Sequence, residues 1–473
     1  MVLLITSINL TRVHIRIQTH EHLNLALDQT NVPEDSLIEW GVLIQSNLFS
    51  FWQGNERAEG RFITGSACLR ALTGIMDKIT EVSGRAPGKV ILCGEHAVVH
   101  GSSALAASLG LYTQVRIQRS NSNSVAADPN GDLTINLIDM KVCLTWPIQR
   151  LEAAFQSLDI FVPDPLCIKP CSTEFMQCVA ALLNEEEFPE AIIGVAEGVS
   201  AFLFLYISII GFKPATVTVT SDLPLGSGLG SSAAFCVSIS GAVLALSGAL
   251  HVDIHQDVWL SLDGSKQEVV NKWAFEGEKI IHGRPSGIDN TVSTFGKLVK
   301  FKSGHLTHIQ HAFPIKMLIT NTKVGRNTKA LVAGVSERSS RHPKAMSAVF
   351  AAVNAISEEM AEIIQAPASD DISISEQEGN LEELVEMNQG LLQSMGVSHP
   401  CIEAVLKTTS KYKLCSKLTG AGGGGCVLTL LPKLLSAKVV EKVKVDLESQ
   451  GFQCFLATVG GEGIQVSFQC QSA

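Results

Sequence analysis

The sequence predicts an α+β protein of two lobes, and three observations carry that expectation. A β-like alternating run, Ala215-Thr-Val-Thr-Val-Thr-Ser221, feeds a glycine-serine loop, Pro224-Leu-Gly-Ser-Gly-Leu-Gly-Ser-Ser-Ala-Ala-Phe235. A run of small and apolar residues follows, from Ala233 to about Leu250, and reads as a buried helix. The C-terminal end alternates strand, helix and strand behind a second glycine run, Lys417-Leu-Thr-Gly-Ala-Gly-Gly-Gly-Gly-Cys426. The boundary between the lobes is expected near 300–315, dividing 76–310 from 311–473.

Length and composition narrow the partners. The 473 residues are 46% hydrophobic and 17% charged, enough for two or three domains with their own cores. A net charge of −10 argues against nucleic acid or an anionic membrane as the main partner. An anionic substrate therefore needs a local cluster of cations and helix ends. The 12 cysteines include no CxxC pair, and the tightest spacing, Cys167 to Cys171, has no matching pair nearby. Reduced thiols are expected, rather than disulfides or zinc. The most apolar run, Ala201 to Ile210, is too short to span a bilayer and follows Glu197.

Residues 1–75 read differently from the rest. The first twenty hold no acid and two arginines, a faint transit-peptide signal, but Glu21, Asp28, Glu34, Asp35 and Glu39 follow. Met76 is expected to be the natural start, with the preceding residues a poorly packed or disordered extension or a gene-model artefact. From Ile79 the pattern becomes strand-like. Further strands are expected at Tyr112 to Gln118, Leu133 to Leu137 and Ile315 to Thr320, with a polar loop over 120–132. Helical periodicity covers 172–210, 329–364 and 378–395, and 366–375 reads as a mobile loop. The helix Gln267 to His282 has Ser265 and Glu268 as a capping-box pattern, with Gly283 and Pro285 at its end.

A strand feeding a glycine loop that opens a helix aims several unpaired backbone N–H groups at one place. With the positive end of the helix dipole they make an anion site suited to phosphate. Ser231 and Ser232 follow at once, as candidates for an N-cap and a magnesium ligand. A Walker A loop would need a lysine before the hydroxyl residue, and a dinucleotide fingerprint would need glycine where Ser231 stands. Two other segments look like acid–base or phosphate equipment. One is Gly84-Arg-Ala-Pro-Gly-Lys89-Val-Ile-Leu-Cys-Gly-Glu95-His96-Ala-Val-Val-His100, and the other is Thr419 to Gly425. Phosphoryl transfer requires this set of parts: backbone donors around phosphates, a cation held by oxygens, a lysine, and a carboxylate near the acceptor hydroxyl. Ser286-Gly-Ile-Asp289 could supply the carboxylate, or be no more than another capping box.

From about residue 85 to the C-terminus the chain resembles the GHMP kinase superfamily. Its first motif is matched by Ala86 to Gly101, its second by Pro224 to Ala233 and its third by Lys417 to Cys426. The segment Asn271-Lys-Trp-Ala-Phe-Glu-Gly-Glu-Lys-Ile-Ile-His-Gly-Arg-Pro-Ser-Gly-Ile-Asp-Asn290 is similar to the version found in the mevalonate-phosphorylating branch. The resemblance implies an N-terminal lobe like ribosomal protein S5 domain 2 and a ferredoxin-like C-terminal lobe. It implies ATP and mevalonate as substrates, Mg2+, a homodimer and a cytoplasmic setting, with no nucleic-acid or membrane partner.

It also implies roles. Asp289 would take the proton of the acceptor's primary hydroxyl, with Lys89 beside it as counter-charge. Ser221, Gly226, Ser227, Gly228, Leu229, Gly230, Ser231 and Ser232, together with Lys89, would wrap ATP. Ser232 and Glu278 would hold the metal, and His96, Ser286 and Thr328 would approach the substrate. Arg326 could meet its acidic end, while His100 and His282 are expected to be structural. Galactokinase is the nearest alternative, but Ala97-Val98-Val99 replaces the threonine-aspartate pair that binds a sugar there. Lys89-Val90 and His96-Ala97 match a peroxisomal address by spacing and are expected to be folded away. Leu225, Cys93 and Gly325 depart from the family pattern without removing a reacting group.

Overall fold

The computed structural model describes residues 79–119, 131–184, 194–250, 252, 257–310, 315–368 and 370–470, together with the backbone of three N-terminal strands. Those strands, β1 (Val2–Asn9), β2 (Arg12–Gln18) and β3 (Asn24–Thr30), form an antiparallel sheet in a unit separate from Glu81–Gln469. Residue 76 and residues 120–130 of the loop expected over 120–132 lie outside the described residues, and a strand already begins at Asp132.

Glu81–Gln469 is organised on a thirteen-stranded sheet. Its centre is the long pair β4 (Ile79–Cys93) and β5 (Ala104–Arg119), antiparallel with register shifts at Pro87/Gly88 and Ile91/Cys93. These irregularities flank Lys89 and re-aim the strand there. β6 (Asp132–Leu137) and β7 (Val142–Pro147) form a hairpin. β8 (Ala215–Ser221) pairs antiparallel with β5 and parallel with β6. A parallel pair needs a crossover, and here it runs through α1 (Ile148–Phe155), α2 (Thr173–Asn184) and α3 (Val195–Ile210).

Behind β8 come α4 (Ser231–Leu246), β9 (Leu260–Ser261), α5 (Gly264–His282) and α6 (Ile288–Phe295). α4 is buried on nearly every face, as its lack of charge demands. After the hairpin β10 (Leu298–Lys302) and β11 (His305–Ile309), β12 (Ile315–Asn321) enters the second half. There α7 (Thr328–Arg341), α8 (Pro343–Gln365), α9 (Asp371–Met395) and α10 (Pro400–Ser410) precede β13 (Ser416–Leu418) and β14 (Cys426–Leu431). α11 (Ala437–Glu448), β15 (Gln453–Val459) and β16 (Gln465–Cys470) complete the chain. The order β13-β14-β12-β15 joins β5 through Val459 opposite Leu109, and one apolar core runs from Val90 and Leu109 to Val353 and Val459.

Four local expectations are corrected. The stretch 329–364 is two helices, because Pro343 has no N–H to continue α7 and drives His342 out of helical geometry to φ −129°, ψ 60°. The periodic stretch 172–210 is likewise two helices, α2 and α3. α5 is capped by Asp263, which accepts the Lys266 amide, while Ser265 donates its hydroxyl proton to that carboxylate. α9 begins at Asp371 rather than 378, since Asp370 and Ser373 form a reciprocal capping box inside the expected loop.

Candidate active site

Ser221, at the end of β8, is fixed from three sides. Its hydroxyl lies 2.8 Å from Thr113 Oγ1 and accepts the Leu223 amide at 3.2 Å, while its own amide donates to Asp139 Oδ2 at 2.7 Å. The chain then turns through the glycine loop into α4. Gly230, not Ser231, occupies the N-cap, at φ 75°, and no side chain caps the helix. A left-handed backbone is strained for a residue with a β-carbon, so glycine takes the position. The first intrahelical bond runs from Ala234 N to Gly230 O, which leaves the amides of Ser231, Ser232 and Ala233 facing outward from the helix end.

β4 carries Lys89 across this loop. Its amide donates to Leu229 O at 2.7 Å, and its stem crosses Gly230, where a Cβ would stand 2.7 Å from Lys89 Cγ. The ammonium reaches Asp289 Oδ2 at 3.2 Å; the lysine side chain is 9% exposed and the aspartate 38%, so the pair opens toward solvent from the acid's side. Asp289 is the second residue of α6, whose N-cap is Gly287 at φ 80° with no side-chain cap. The capping-box alternative for Ser286 and Asp289 therefore does not form; exposed Ser286 accepts only the Ile288 amide, at 3.4 Å. Asn271 on α5 holds α6 in place by accepting from Asn290 Nδ2 at 2.7 Å.

Glu278 lies on the buried face of α5, near Ser232, Asp289 and Lys89. Its carboxyl is pushed up to about 7 by burial first and by the Asp289 charge second, with a hydrogen bond from Ser232 opposing. Glu278 Oε1 is buried without a hydrogen-bond partner, and an orphaned carboxylate oxygen of this kind calls for a cation or proton. The Ser232 hydroxyl lies 2.9 Å from His282 Nε2, which gives that histidine a place at the site rather than a purely structural one. The Ser232 hydroxyl and the Glu278 carboxylate, two hard oxygen donors beside a phosphate loop, could hold a divalent cation such as Mg2+.

The remaining expected residues divide. His96 is strained, at φ 59°, with Nε2 2.9 Å from Ala421 O and Nδ1 buried and unpartnered; burial pushes its pKa down and favours the neutral ring. Thr328 stands exposed on the first turn of α7 and is not joined to the others by any hydrogen bond. Lys89, Val90, His96 and Ala97 are all buried, so the address-like spacing is folded away.

Other contacts went unrecognised in the sequence, two of them made by Arg326, which was expected only at the acidic end of the substrate. Arg326 reaches Ser227 O and Thr419 O, at 3.2 and 3.3 Å. Lys417 and Glu95 form an almost fully buried ion pair, to which Asn388 Nδ2 adds a bond at 3.4 Å. The one signal for that pair was a lysine and a glutamate in otherwise apolar surroundings, which burial allows only if they are matched.

A phosphate loop, a lysine–carboxylate pair across it and a second carboxylate with a free oxygen define a small-molecule kinase of the GHMP type. The family models for the GHMP kinases N terminal domain and the GHMP kinases C terminal match residues 192–297 and 374–445. The mevalonate kinase of Arabidopsis thaliana is 53% identical over 390 residues, covering 82% of this chain and 100% of the relative. That of Homo sapiens is 38% identical, covering 80% and 93%. The fold is shared with a crystal structure of mevalonate kinase at TM-score 0.56 and 20% identity, covering 80% of this chain and 99% of that one. It is shared also with the L. major mevalonate kinase in complex with R-mevalonate, at TM-score 0.55 and 21% identity, covering 82% and 96%. The chain belongs to the mevalonate kinase family.

Proposed function

We propose that the protein transfers the γ-phosphoryl group of ATP to the primary hydroxyl of mevalonate, giving 5-phosphomevalonate and ADP. The observation that carries this reading is the 3.2 Å pair of Lys89 Nζ and Asp289 Oδ2 at the mouth of the phosphate loop. ATP lays its phosphates against the amides of Gly226 to Ala233, with Ser221 and Ser227 shaping the approach. Asp289 accepts the hydroxyl proton as the oxygen–phosphorus bond forms and the bond to the β-phosphate oxygen breaks. Lys89 stands beside the charge that develops on the transferring group. His96, as a neutral ring with Nδ1 unpartnered, offers the acceptor a hydrogen-bonding group. Ser286 and Thr328 are exposed enough to meet the same ligand.

Glu278 and Ser232 would hold Mg2+, which neutralises charge on the phosphates when bound. The single Ser232 proton goes either to the Glu278 carboxylate or to an unprotonated His282 Nε2; with Glu278 on the cation it would go to the ring, leaving the hydroxyl lone pairs for the metal. In this reading 76–310 is the ATP-binding lobe and 311–473 the second lobe. The protein works in the cytoplasm as a homodimer, which sedimentation would check. The direct test is ATP consumption with mevalonate, galactose, homoserine or phosphomevalonate, with and without Mg2+. Turnover with mevalonate alone and only with the metal is expected; turnover with another acceptor and none with mevalonate would reject the reading.

A further inference from the structure

The guanidinium of Arg326 occupies space that two distant glycine runs leave open. A Cβ on Gly228 would stand 1.3 Å from Arg326 Nη2, and one on Gly425 would stand 2.7 Å from Nη1. Arg326 donates from Nη2 to Ser227 O at 3.2 Å and from Nη1 to Thr419 O at 3.3 Å. No carboxylate pairs with it among the described residues. A largely buried cation held by two carbonyls serves whatever those carbonyls belong to, here the phosphate loop and the turn after β13.

Thr419 continues the connection. Its Oγ1 accepts the Ile91 amide at 3.1 Å and donates to Ile91 O at 3.0 Å, so one hydroxyl holds both backbone groups of a residue two positions from Lys89. The Lys89 amide in turn donates to Leu229 O at 2.7 Å, two positions from Ser227. The bonds close a ring: Arg326, Ser227–Leu229, Lys89–Ile91, Thr419 and back to Arg326. Each segment comes from a different part of the sequence, and Lys89 leaves the ring pointing at Asp289.

We infer that Arg326 and Thr419 are positioning residues for phosphoryl transfer, a paired clamp that fixes the phosphate loop and the Lys89 strand as one frame. The inference rests on the kinase reading above but concerns residues outside the reacting set. Neither side chain has to touch mevalonate or ATP. The clamp acts through Ser227 O and Ile91, and its effect falls on where Lys89 stands when the γ-phosphoryl group moves. Arginine suits the task because its planar fork spans two carbonyls at fixed separation, which a lysine cannot do.

The test uses the full chain carrying Arg326→Lys, Thr419→Val, Thr419→Ser and the Arg326→Lys/Thr419→Val double change, all checked for folding by thermal melts. Hydrogen exchange of the Lys89 amide should speed up in Arg326→Lys and Thr419→Val but not in Thr419→Ser, which keeps the hydroxyl. In the same two variants kcat should fall about 10- to 100-fold, as expected for a misplaced reacting geometry, with KM for either substrate moving less than about 3-fold. The double change should fall little below the worse single one, because both break the same ring. Unchanged exchange, losses that multiply, or a raised KM for mevalonate at unchanged kcat would overturn the clamp, the last by placing Arg326 on the substrate. The exchange readout needs no turnover. A wild-type protein inactive on mevalonate would therefore reject the function and still leave the frame to be judged.

Discussion

The two glycine runs look alike in sequence and are built for opposite ends. In the run before α4, the space over the glycines is open or filled by long cationic side chains: nothing lies within 4 Å of a Cβ on Gly226, Arg326 covers Gly228 and Lys89 crosses Gly230. In the run between β13 and β14 no glycine is left open: backbone fills the space over Gly422 and Gly424, Leu331 covers Gly423, and Arg326 covers Gly420 and Gly425. A Cβ on Gly422 would stand 2.1 Å from Val397 O, and the amides of Gly423 and Gly425 are engaged by Val397 O and Val324 O at 2.8 and 3.1 Å. The first run leaves the amides of Ser231, Ser232 and Ala233 for a ligand, whereas the second commits those of Gly423 and Gly425 to the fold. A glycine-rich stretch therefore marks close approach, and only its surroundings say whether a phosphate or another strand approaches.

If that contrast is right, changes around the first run should affect chemistry and changes in the second should affect folding. The largest effect is expected for Lys89→Met, which should lower kcat by about 10²- to 10³-fold while leaving the melting temperature near that of the wild type. Equal loss of stability and activity would erase the contrast.

Glu278→Gln sharpens it through pH. In metal-free, nucleotide-free protein the buried carboxyl titrates at about 7 instead of 4.5. The folded state therefore holds a proton that the unfolded chain has released, and stability is full below about 4.5 and is lost as pH rises through about 7. At about 1.4 kcal/mol per pH unit the loss is about 3 kcal/mol. The variant should match the wild type at pH 5, denature at higher urea than the wild type at pH 8, and turn over poorly with Mg2+. Parallel stability curves would contradict this.

Gly422→Ala comes next, with an expected loss of about 2–3 kcal/mol from a strained φ of 73° and a backbone collision. Its kcat per folded molecule, from activity corrected for the folded fraction, should be unchanged. Gly226→Ala should be mildest, about 1 kcal/mol for its φ of 66° alone, read from the urea midpoint.

What could be read from the sequence was local. The strand–loop–helix at Ala215 to Leu246 needs only alternation, glycine and a following apolar run. Lys89, Glu278 and Asp289 each sit beside a turn or helix whose punctuation is visible. The cap at Asp263 and the box of Asp370 with Ser373 were written in the same local code, but a neighbouring serine or a polar stretch offered a competing reading. Arg326 was placed in a loop, yet its bridging of Ser227 to Thr419 links positions 99 and 93 residues away. His282 on Ser232 and Lys417 on Glu95 are likewise products of tertiary packing, which leaves no periodic trace in the chain. Thr328, named from the resemblance alone, stands exposed on the first turn of α7.

The claim on which the rest turns is that the carboxylate facing Lys89 receives the proton of the acceptor hydroxyl. Single-turnover kinetics of Asp289→Asn with mevalonate, alongside its nucleotide affinity, test it most directly. Phosphoryl transfer slower by about 10³- to 10⁴-fold, with ATP binding within about 3-fold of the wild type, is the expected result. Transfer at the wild-type rate by that variant would contradict it.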